Sequence, residues 1–182
     1  MIKHKRTICF AMAAAFLLCM SLCGCTLPGG KSKLAITDIV EYSVPAGWSD
    51  EEIDSPSERA VYKEGEESYI GMFIVKRTGK QQWKDEKTMK RKYKVGKLVK
   101  KEMVDDVSYE FGEIDGHTAG IARETYHTKE DSTTRWASHC EILLSDKEAV
   151  MIMTKTTSKE DAKIIDDFVH NLKINEEAVP QE

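Results

Sequence analysis

The amino-acid sequence predicts an α+β domain in which helices pack on an antiparallel β-sheet. Much of the chain consists of short segments in which apolar and polar residues alternate. Turn residues separate these segments, as expected for neighbouring antiparallel strands. Two segments with helical character, residues 81–93 and 161–172, interrupt and close this series. The predicted domain covers residues 37–175, and residues 176–182 are predicted to form a polar tail.

The first part of the domain is predicted to hold three strands. Residues 39–44 alternate and end at Pro45, which cannot donate a backbone hydrogen bond to a sheet, so a strand should stop there. Residues 49–58 are acidic and are expected to form a loop. Residues 59–63 and 69–76 are rich in β-forming residues and flank a polar turn, which predicts a β-hairpin.

A helix is predicted over residues 81–93, because strong helix formers without proline fill this segment. It either continues past Gly96 to Met103 or ends at Gly96. Both outcomes remain open, since an interior glycine costs a helix about 1 kcal/mol without forbidding it.

The second half is predicted to form a meander of four strands over residues 107–114, 117–128, 135–144 and 149–155. Asp115-Gly116 is a typical hairpin turn. The last strand is apolar on both faces, which predicts a central position in the sheet. Alternation places five residues of the third strand on one face: Trp136, Ser138, Cys140, Ile142 and Leu144.

The chain is predicted to close with an amphipathic helix. Ser158 and Asp161 have the spacing of an N-terminal capping pair. The apolar residues that follow recur at helical spacing and define the buried face: Ala162, Ile165, Phe168, Val169 and Leu172.

Residues 1–24 have the layout of a bacterial export signal. Lys3, Lys5 and Arg6 form a basic start, and an almost wholly apolar run of about fifteen residues follows. A helix needs roughly twenty apolar residues to cross a bilayer, so a permanent anchor is the weaker alternative. An ordinary, non-lipidated signal peptide is the other alternative.

The run ends in Leu22-Cys23-Gly24-Cys25, which resembles the lipobox of bacterial lipoproteins. Gly24 supplies the small side chain needed before the cleavage point, and Cys25 is the predicted site of lipidation. Two acyl chains are generally enough for stable anchoring. Residues 25–36 would then form the lipidated cysteine and a flexible tether. The predicted location is the extracytoplasmic face of a bacterial membrane, with a cell membrane favoured over an outer membrane.

Charge and cysteine content limit the possible functions. Three of the 27 basic residues precede Cys25 and all 31 acidic residues follow it, so the mature chain carries about −7. This charge argues against general nucleic-acid binding. Only Cys140 remains besides Cys25 after cleavage, so no internal disulfide is expected. Cys140 is predicted to be a buried small apolar residue.

The sequence contains no recognised catalytic, cofactor-binding or metal-binding motif, so no catalytic residue, cofactor or metal is predicted. Four histidines follow the signal segment. His127 and His139 fall on strands predicted to be neighbours, but the expected register keeps them apart. His170 is expected to face solvent near a helix end, where positive charge is favourable. His117 and the other three are not expected to share a metal.

A basic segment interrupts the otherwise acidic chain. Nine lysines and arginines fall within residues 84–101. A solvated helix face is one interpretation. The other is contact with anionic lipid headgroups or an acidic wall polymer, to which each basic residue near the surface adds about 1 kcal/mol. The residues predicted to make such a contact are Lys90, Arg91, Lys94 and Lys97.

The predicted order of elements resembles the PsbP-like family. The segment from Tyr42 to Trp48 is similar to the Val-Pro-x-Gly-Trp start of that family, and the turn 114–116 and the small residues 119–122 occupy similar places. The resemblance covers residues 37–175. It implies an α/β/α sandwich, and roles that are mostly non-enzymatic, such as binding or assisting a partner protein.

These observations favour a non-enzymatic, membrane-anchored binding or accessory module for a protein partner or a cell-envelope component. An extracytoplasmic hydrolase, or a carrier of a small ligand or metal with an unrecognised pocket, is the alternative. A deep pocket with converging polar groups would favour the alternative. A closed core with an exposed apolar or basic patch would favour the first hypothesis.

Overall fold

The computed structural model describes residues 34–77, 83, 85–92, 102–128 and 131–179, with no side-chain description at 92, 102 and 103. The predicted signal peptide, Cys25 and the tether up to residue 33 lie outside the described residues.

The described elements, in chain order, are these: α1 (Ile36–Ile39), β1 (Val40–Glu41), β2 (Ser49–Glu52), β3 (Glu58–Tyr62), β4 (Tyr69–Lys76), α2 (Glu86–Lys92), β5 (Glu102–Ile114), β6 (His117–Thr128), β7 (Arg135–Leu143), β8 (Glu148–Thr156), α3 (Lys159–His170), β9 (Lys173–Ile174) and a 3-10 turn (Glu176–Ala178). Strands β2 to β8 form one sheet in the order β2-β3-β4-β8-β7-β6-β5, and β1 pairs with β9. Every pairing is antiparallel. The predicted hairpin, the meander and the central last strand are thereby confirmed.

The turn between β5 and β6 has the predicted hairpin geometry. Ile114 pairs with His117, so Asp115 and Gly116 form a two-residue loop. Both have positive φ, 51° and 82°. This is the backbone that a tight hairpin turn requires, and glycine adopts it without steric cost. The side chain of Asp115 also accepts hydrogen bonds from Ile174 N and Lys173 Nζ, both at 2.8 Å, which ties the turn to β9.

The main core lies on one face of the sheet. Central strands direct apolar side chains to this face, including Cys140, Ile142, Val150 and Ile152. Helix α3 covers them with three residues of its predicted apolar stripe, Ile165, Phe168 and Val169. Helix α1 adds Ile36 and Ile39 to the same cluster. Burial of these side chains is the main favourable contribution to folding.

Helix α2 lies on the opposite face. A side chain at Gly120 would collide with the sulfur of Met89 and approach the ring of Trp83, whereas the next residue, Ile121, belongs to the core beneath α3. Successive strand residues point to opposite faces. Helices therefore pack on both faces of the antiparallel sheet, which confirms the predicted α+β class and its layered arrangement. The predicted helix over residues 81–93 is described from Glu86 to Lys92.

Helix α3 begins as predicted at Ser158, whose Oγ accepts a hydrogen bond from Asp161 N at 3.2 Å. The side chain of Asp161 bonds to residues outside the helix. It accepts a hydrogen bond from Ser68 Oγ at 2.6 Å and pairs with Lys63 at 3.3 Å. The buried carboxylate therefore joins the start of α3 to the hairpin between β3 and β4.

Two predictions for the first part of the domain were wrong. Ser49–Glu52 is a strand, where a loop was expected, because backbone pairing with β3 needs no apolar alternation at an acidic sheet edge. Residues 39–44 do not form one strand. The helical turn α1 extends to Ile39, and only Val40–Glu41 pairs, with β9.

The packed chain extends beyond residues 37 and 175. Ile36 is fully buried at one end, and Val179 lies in the main core at the other, after the 3-10 turn. None of the helices in the described part of the chain has the length and apolarity needed to cross a bilayer.

Candidate functional site

A cleft of about 250 Å³ lies between α3 and one end of the sheet. We call it the sheet-end cleft. Its lining comes from four neighbouring strands and the first turns of α3: Asp106, Ser108, Arg123, Glu124, Thr125, Trp136, Ala137, Ser138, Thr154, Thr156, Ala162, Ile165 and Asp166.

The cleft arises because the inward-facing positions of three strands change from apolar to polar residues along each strand. The alternation of inward-facing and outward-facing residues continues throughout. In β7, the inward positions change from Ile142 and Cys140 to Ser138 and Trp136. In β8 they change from Ile152 to Thr154 and Thr156, and in β6 from Ile121 to Arg123. The period of two keeps all these side chains on the face that α3 covers. The apolar half of that face is core, and the polar half is the cleft.

Arg123 stands between the sheet and the helix. Its Nη2 atom pairs with Asp166 Oδ1 of α3 at 2.6 Å and with Glu110 Oε2 of β5 at 2.8 Å, and its Nε donates to Asp166 Oδ1 at 2.7 Å. Hydrogen bonds to charged groups are the stronger kind. These contacts hold the guanidinium in one place on the wall of the cleft and fix α3 against two strands.

His170 extends the same network. Its Nε2 lies 3.1 Å from Glu110 Oε1, and its Nδ1 lies 2.8 Å from the carbonyl oxygen of Asp166. Burial lowers the pKa of His170, but the hydrogen bond to the Asp166 carbonyl and the contact with Glu110 outweigh it, so the pKa is raised above 6.5. Burial raises the pKa of Glu110, but hydrogen bonds from His170 and Arg123 outweigh it and lower the pKa below 4.5.

Paired hydroxyl groups form the floor of the cleft. Ser138 Oγ and Thr154 Oγ1 lie 2.7 Å apart, and Thr154 Oγ1 also accepts a hydrogen bond from Ser138 N at 3.0 Å. Thr156 Oγ1 lies 2.8 Å from Ser68 Oγ and accepts a hydrogen bond from Ser158 N at 2.9 Å. Both threonines are buried. The hydroxyls are therefore fixed in position by the fold.

Trp136 is the aromatic residue of the cleft and is partly exposed. The aromatic pairs in the described part of the chain are Tyr42 with Phe168 and Trp83 with Phe111. Among the described residues, none stacks on the Trp136 ring or accepts a hydrogen bond from its indole N–H. A buried or interfacial tryptophan usually finds such a partner.

The residues predicted for membrane or anionic contact are only partly described. Cys25, Lys94 and Lys97 lie outside the described residues. Lys90 and Arg91 are exposed on α2, on the sheet face opposite the cleft. Lys90 Nζ pairs with Glu86 at 2.6 Å and lies 5.6 Å from the centre of the Tyr109 ring. The structure therefore does not bring the described basic residues to the cleft.

Cys140 is fully buried, as predicted, and burial raises the pKa of its thiol far above the ordinary value. Its conversion to a reactive thiolate is therefore strongly disfavoured. His127 contacts Asp105 at 3.0 Å. Within the described residues, no group of three or more His, Cys, Asp or Glu side chains has an arrangement that could hold a metal ion.

Sequence reasoning did not identify the cleft. It placed Trp136 and Ser138 on the correct face but treated that face as core. The available signal was the appearance of polar residues at the inward positions of consecutive strands, at Arg123, Ser138 and Thr154. That signal becomes interpretable only when the register brings these positions together.

No protein-family model matches the chain, and no curated protein matches its sequence. Among solved structures, the chain is similar to cyanobacterial PsbP (CyanoP) from Synechocystis sp. PCC 6803, with 11% identity and a TM-score of 0.49. The match covers 81% of this chain and 99% of that chain. This similarity concerns the overall course of the chain and assigns no role to the residues of the cleft.

Proposed function

We propose that this protein is a bacterial lipoprotein whose PsbP-like domain acts as a non-enzymatic binding module for a component of the cell envelope. In this proposal, Cys25 carries the lipid and residues 26–33 tether the domain to the membrane. Export and anchoring are supported by the basic start, the apolar run and Leu22-Cys23-Gly24-Cys25. The sequence resemblance to a family of mostly non-enzymatic proteins supports a binding role.

The observation that carries the binding role is the sheet-end cleft. It is open, its polar side chains converge from four strands and α3, and its tryptophan is partly exposed. A concave site with a few positioned polar groups beside an aromatic surface is the usual form of a ligand-binding site. Arg123 and the hydroxyl groups are held by the fold, so little ordering would be needed when a ligand binds.

The basic segment gives this module an orientation. Lys87, Lys90 and Arg91 are exposed on α2, which packs on the sheet face opposite α3 and the cleft. Contact of this side with anionic headgroups would direct the cleft away from the bilayer. The lipid would keep the domain close, so individually weak contacts would be effective through high local concentration.

Site-specific photo-crosslinking in living cells tests the binding role. Ser108 lines the cleft and is exposed, whereas Lys163 is exposed on α3 and does not line it. Full-length protein with a photo-reactive residue at position 108 should give a discrete adduct with an envelope component, and the same residue at position 163 should not. Equal adducts at both positions, or none at position 108, would contradict the proposal.

A further inference from the structure

We propose that the ligand of the sheet-end cleft is a neutral carbohydrate, with one sugar ring stacked on Trp136 and its hydroxyls bonded to Asp106, Arg123 and Ser138. This inference rests on the proposed function, because it specifies the chemistry of the component that the cleft would bind. The charges, the tryptophan and the size of the cleft lead to it independently.

The charges of the cleft favour a neutral ligand. Strand alternation directs Glu124 away from Arg123, to the other face of the sheet. The charged lining residues on the cleft face are then Asp106, Asp166 and Arg123, and Glu110 contacts Arg123 from beside the cleft. An anionic ligand would be brought against two carboxylates, and a cationic ligand against a guanidinium. Either charged ligand would bring two like charges together in the cleft, whereas a neutral ligand avoids this repulsion.

The polar groups offer donors and acceptors in close alternation. The Nε and Nη2 atoms of Arg123 are occupied by Asp166 and Glu110, and among the described residues Nη1 has no partner. Nη1 and the indole N–H of Trp136 are therefore donors for a ligand, and the carboxylate of Asp106 is an acceptor. Ser138 supplies a hydroxyl that can serve as either. A molecule carrying a hydroxyl on nearly every carbon can satisfy such a mixed set.

Trp136 supplies the surface that a sugar ring needs. The carbon-bound hydrogens on one side of a sugar ring form an apolar patch, which packs against the flat, electron-rich face of an indole. The partly exposed ring of Trp136 is not covered by another aromatic ring of the described residues. The ring of Trp136 is apolar and its N–H group is polar, so this residue suits a site that is partly buried and partly exposed to water.

The volume of the cleft limits what it can enclose. Pockets for drug-sized ligands begin at roughly 300 Å³, and this cleft is slightly smaller, at about 250 Å³. One or two sugar rings would fill it. Because the cleft is open to solvent between α3 and the strand ends, a longer glycan could continue out of it. This arrangement fits recognition of a short stretch of a polymer.

The test is saturation-transfer NMR on the full-length lipidated protein in nanodiscs, which avoids sugar-based detergents. The probes are cellobiose, maltose and diacetylchitobiose, with methyl phosphate and tetramethylammonium as charged controls. At least one disaccharide should bind, and Trp136→Ala should weaken its binding about tenfold. Phe111→Ala, which removes an exposed aromatic residue from the opposite face, should leave the affinity unchanged.

Folding of each variant is checked by its thermal unfolding. If Trp136→Ala does not fold, Trp136→Phe keeps the stacking ring and removes the N–H, and it should show a smaller loss of affinity. Absence of binding by all three disaccharides, tighter binding of methyl phosphate or tetramethylammonium, or equal losses in Trp136→Ala and Phe111→Ala would overturn the inference. A non-carbohydrate adduct at position 108 would overturn it while leaving the proposed binding role intact.

Discussion

Arg77 and Glu141 form a buried ion pair on the sheet face that α2 covers. Their exposed side-chain fractions are 6% and 3%. Glu141 also accepts a hydrogen bond from Trp83 Nε1 at 2.8 Å, and Arg77 donates to the carbonyl oxygen of Trp83 at 3.0 Å. Two charges this deeply buried are tolerated because each is paired and hydrogen-bonded. The cluster holds Trp83, which precedes α2 in the chain, against the sheet.

His170 and Glu110 make the stability of the α3 contact depend on pH. The pKa of His170 is raised in the folded protein, so its contribution is complete below pH 6.5 and is lost as pH rises through the folded-state pKa. The pKa of Glu110 is lowered, so its contribution is complete above pH 4.5 and is lost as pH falls through its folded-state pKa. Both contributions are present together between these values.

The substitution His170→Gln should reduce the dependence of the free energy of unfolding on pH. The wild-type free energy of unfolding should decrease relative to the variant as pH rises above 6.5. The difference should be no more than about 1 kcal/mol, because both side chains are substantially exposed and screened by solvent. Urea denaturation across a pH series measures it. A constant difference between the two proteins from pH 5 to pH 8 would show that His170 does not titrate in this contact.

At the scale of elements, the β5–β6 hairpin depends on the backbone of its turn. Gly116→Ala should destabilise the fold by roughly 1 kcal/mol, because φ at this position is 82° and alanine is strained there. Gly112 is the matched control, since a side chain at either glycine would meet nothing within 4 Å and only Gly116 has positive φ. Chemical denaturation should show a larger loss for Gly116→Ala. Equal losses would indicate that the turn conformation is not the cause.

The membrane contact proposed for the basic segment can be measured. Changing Lys90, Arg91, Lys94 and Lys97 to Glu should abolish binding of the unlipidated chain to anionic vesicles at low salt, because each basic residue near the surface contributes about 1 kcal/mol. Vesicle sedimentation measures the binding. The control is a chain with four glutamates on exposed positions of α3. If the unchanged chain ignores anionic vesicles at low salt, the proposed orientation is wrong.

Elements with strong local signals were predictable from the sequence, and elements defined by pairing were not. Asp115-Gly116 identified its hairpin, and the apolar residues on both faces of β8 identified the central strand. β2 carries Asp50, Glu51 and Glu52 at the sheet edge, where charged residues are favoured and apolar alternation is absent. Its strand conformation follows from hydrogen bonding to β3, which the local sequence does not encode.

At the scale of the whole molecule, the cleft is a product of register. Arg123 pairs with Ser138, and Ser138 with Thr154, so three polar residues from distant parts of the chain form one row across the sheet. Asp166 then meets this row from α3. No segment contains enough of the site to reveal it, and the described basic residues Lys87, Lys90 and Arg91 lie on the other face of the sheet. The proposed anchor, in contrast, is inferred from the consecutive residues 22–25.

The proposed module has a lipid at one end and a binding cleft in its folded part. Its location at the membrane depends on the lipid. Mass spectrometry of the N-terminal peptide of the mature protein, isolated from membranes, tests it most directly. The account predicts that the chain begins at Cys25 and carries a diacylglyceryl group. It also predicts that Cys25→Ser releases the protein from the membrane fraction. A mature N-terminus elsewhere, or an unmodified Cys25 in membrane-bound protein, would contradict it.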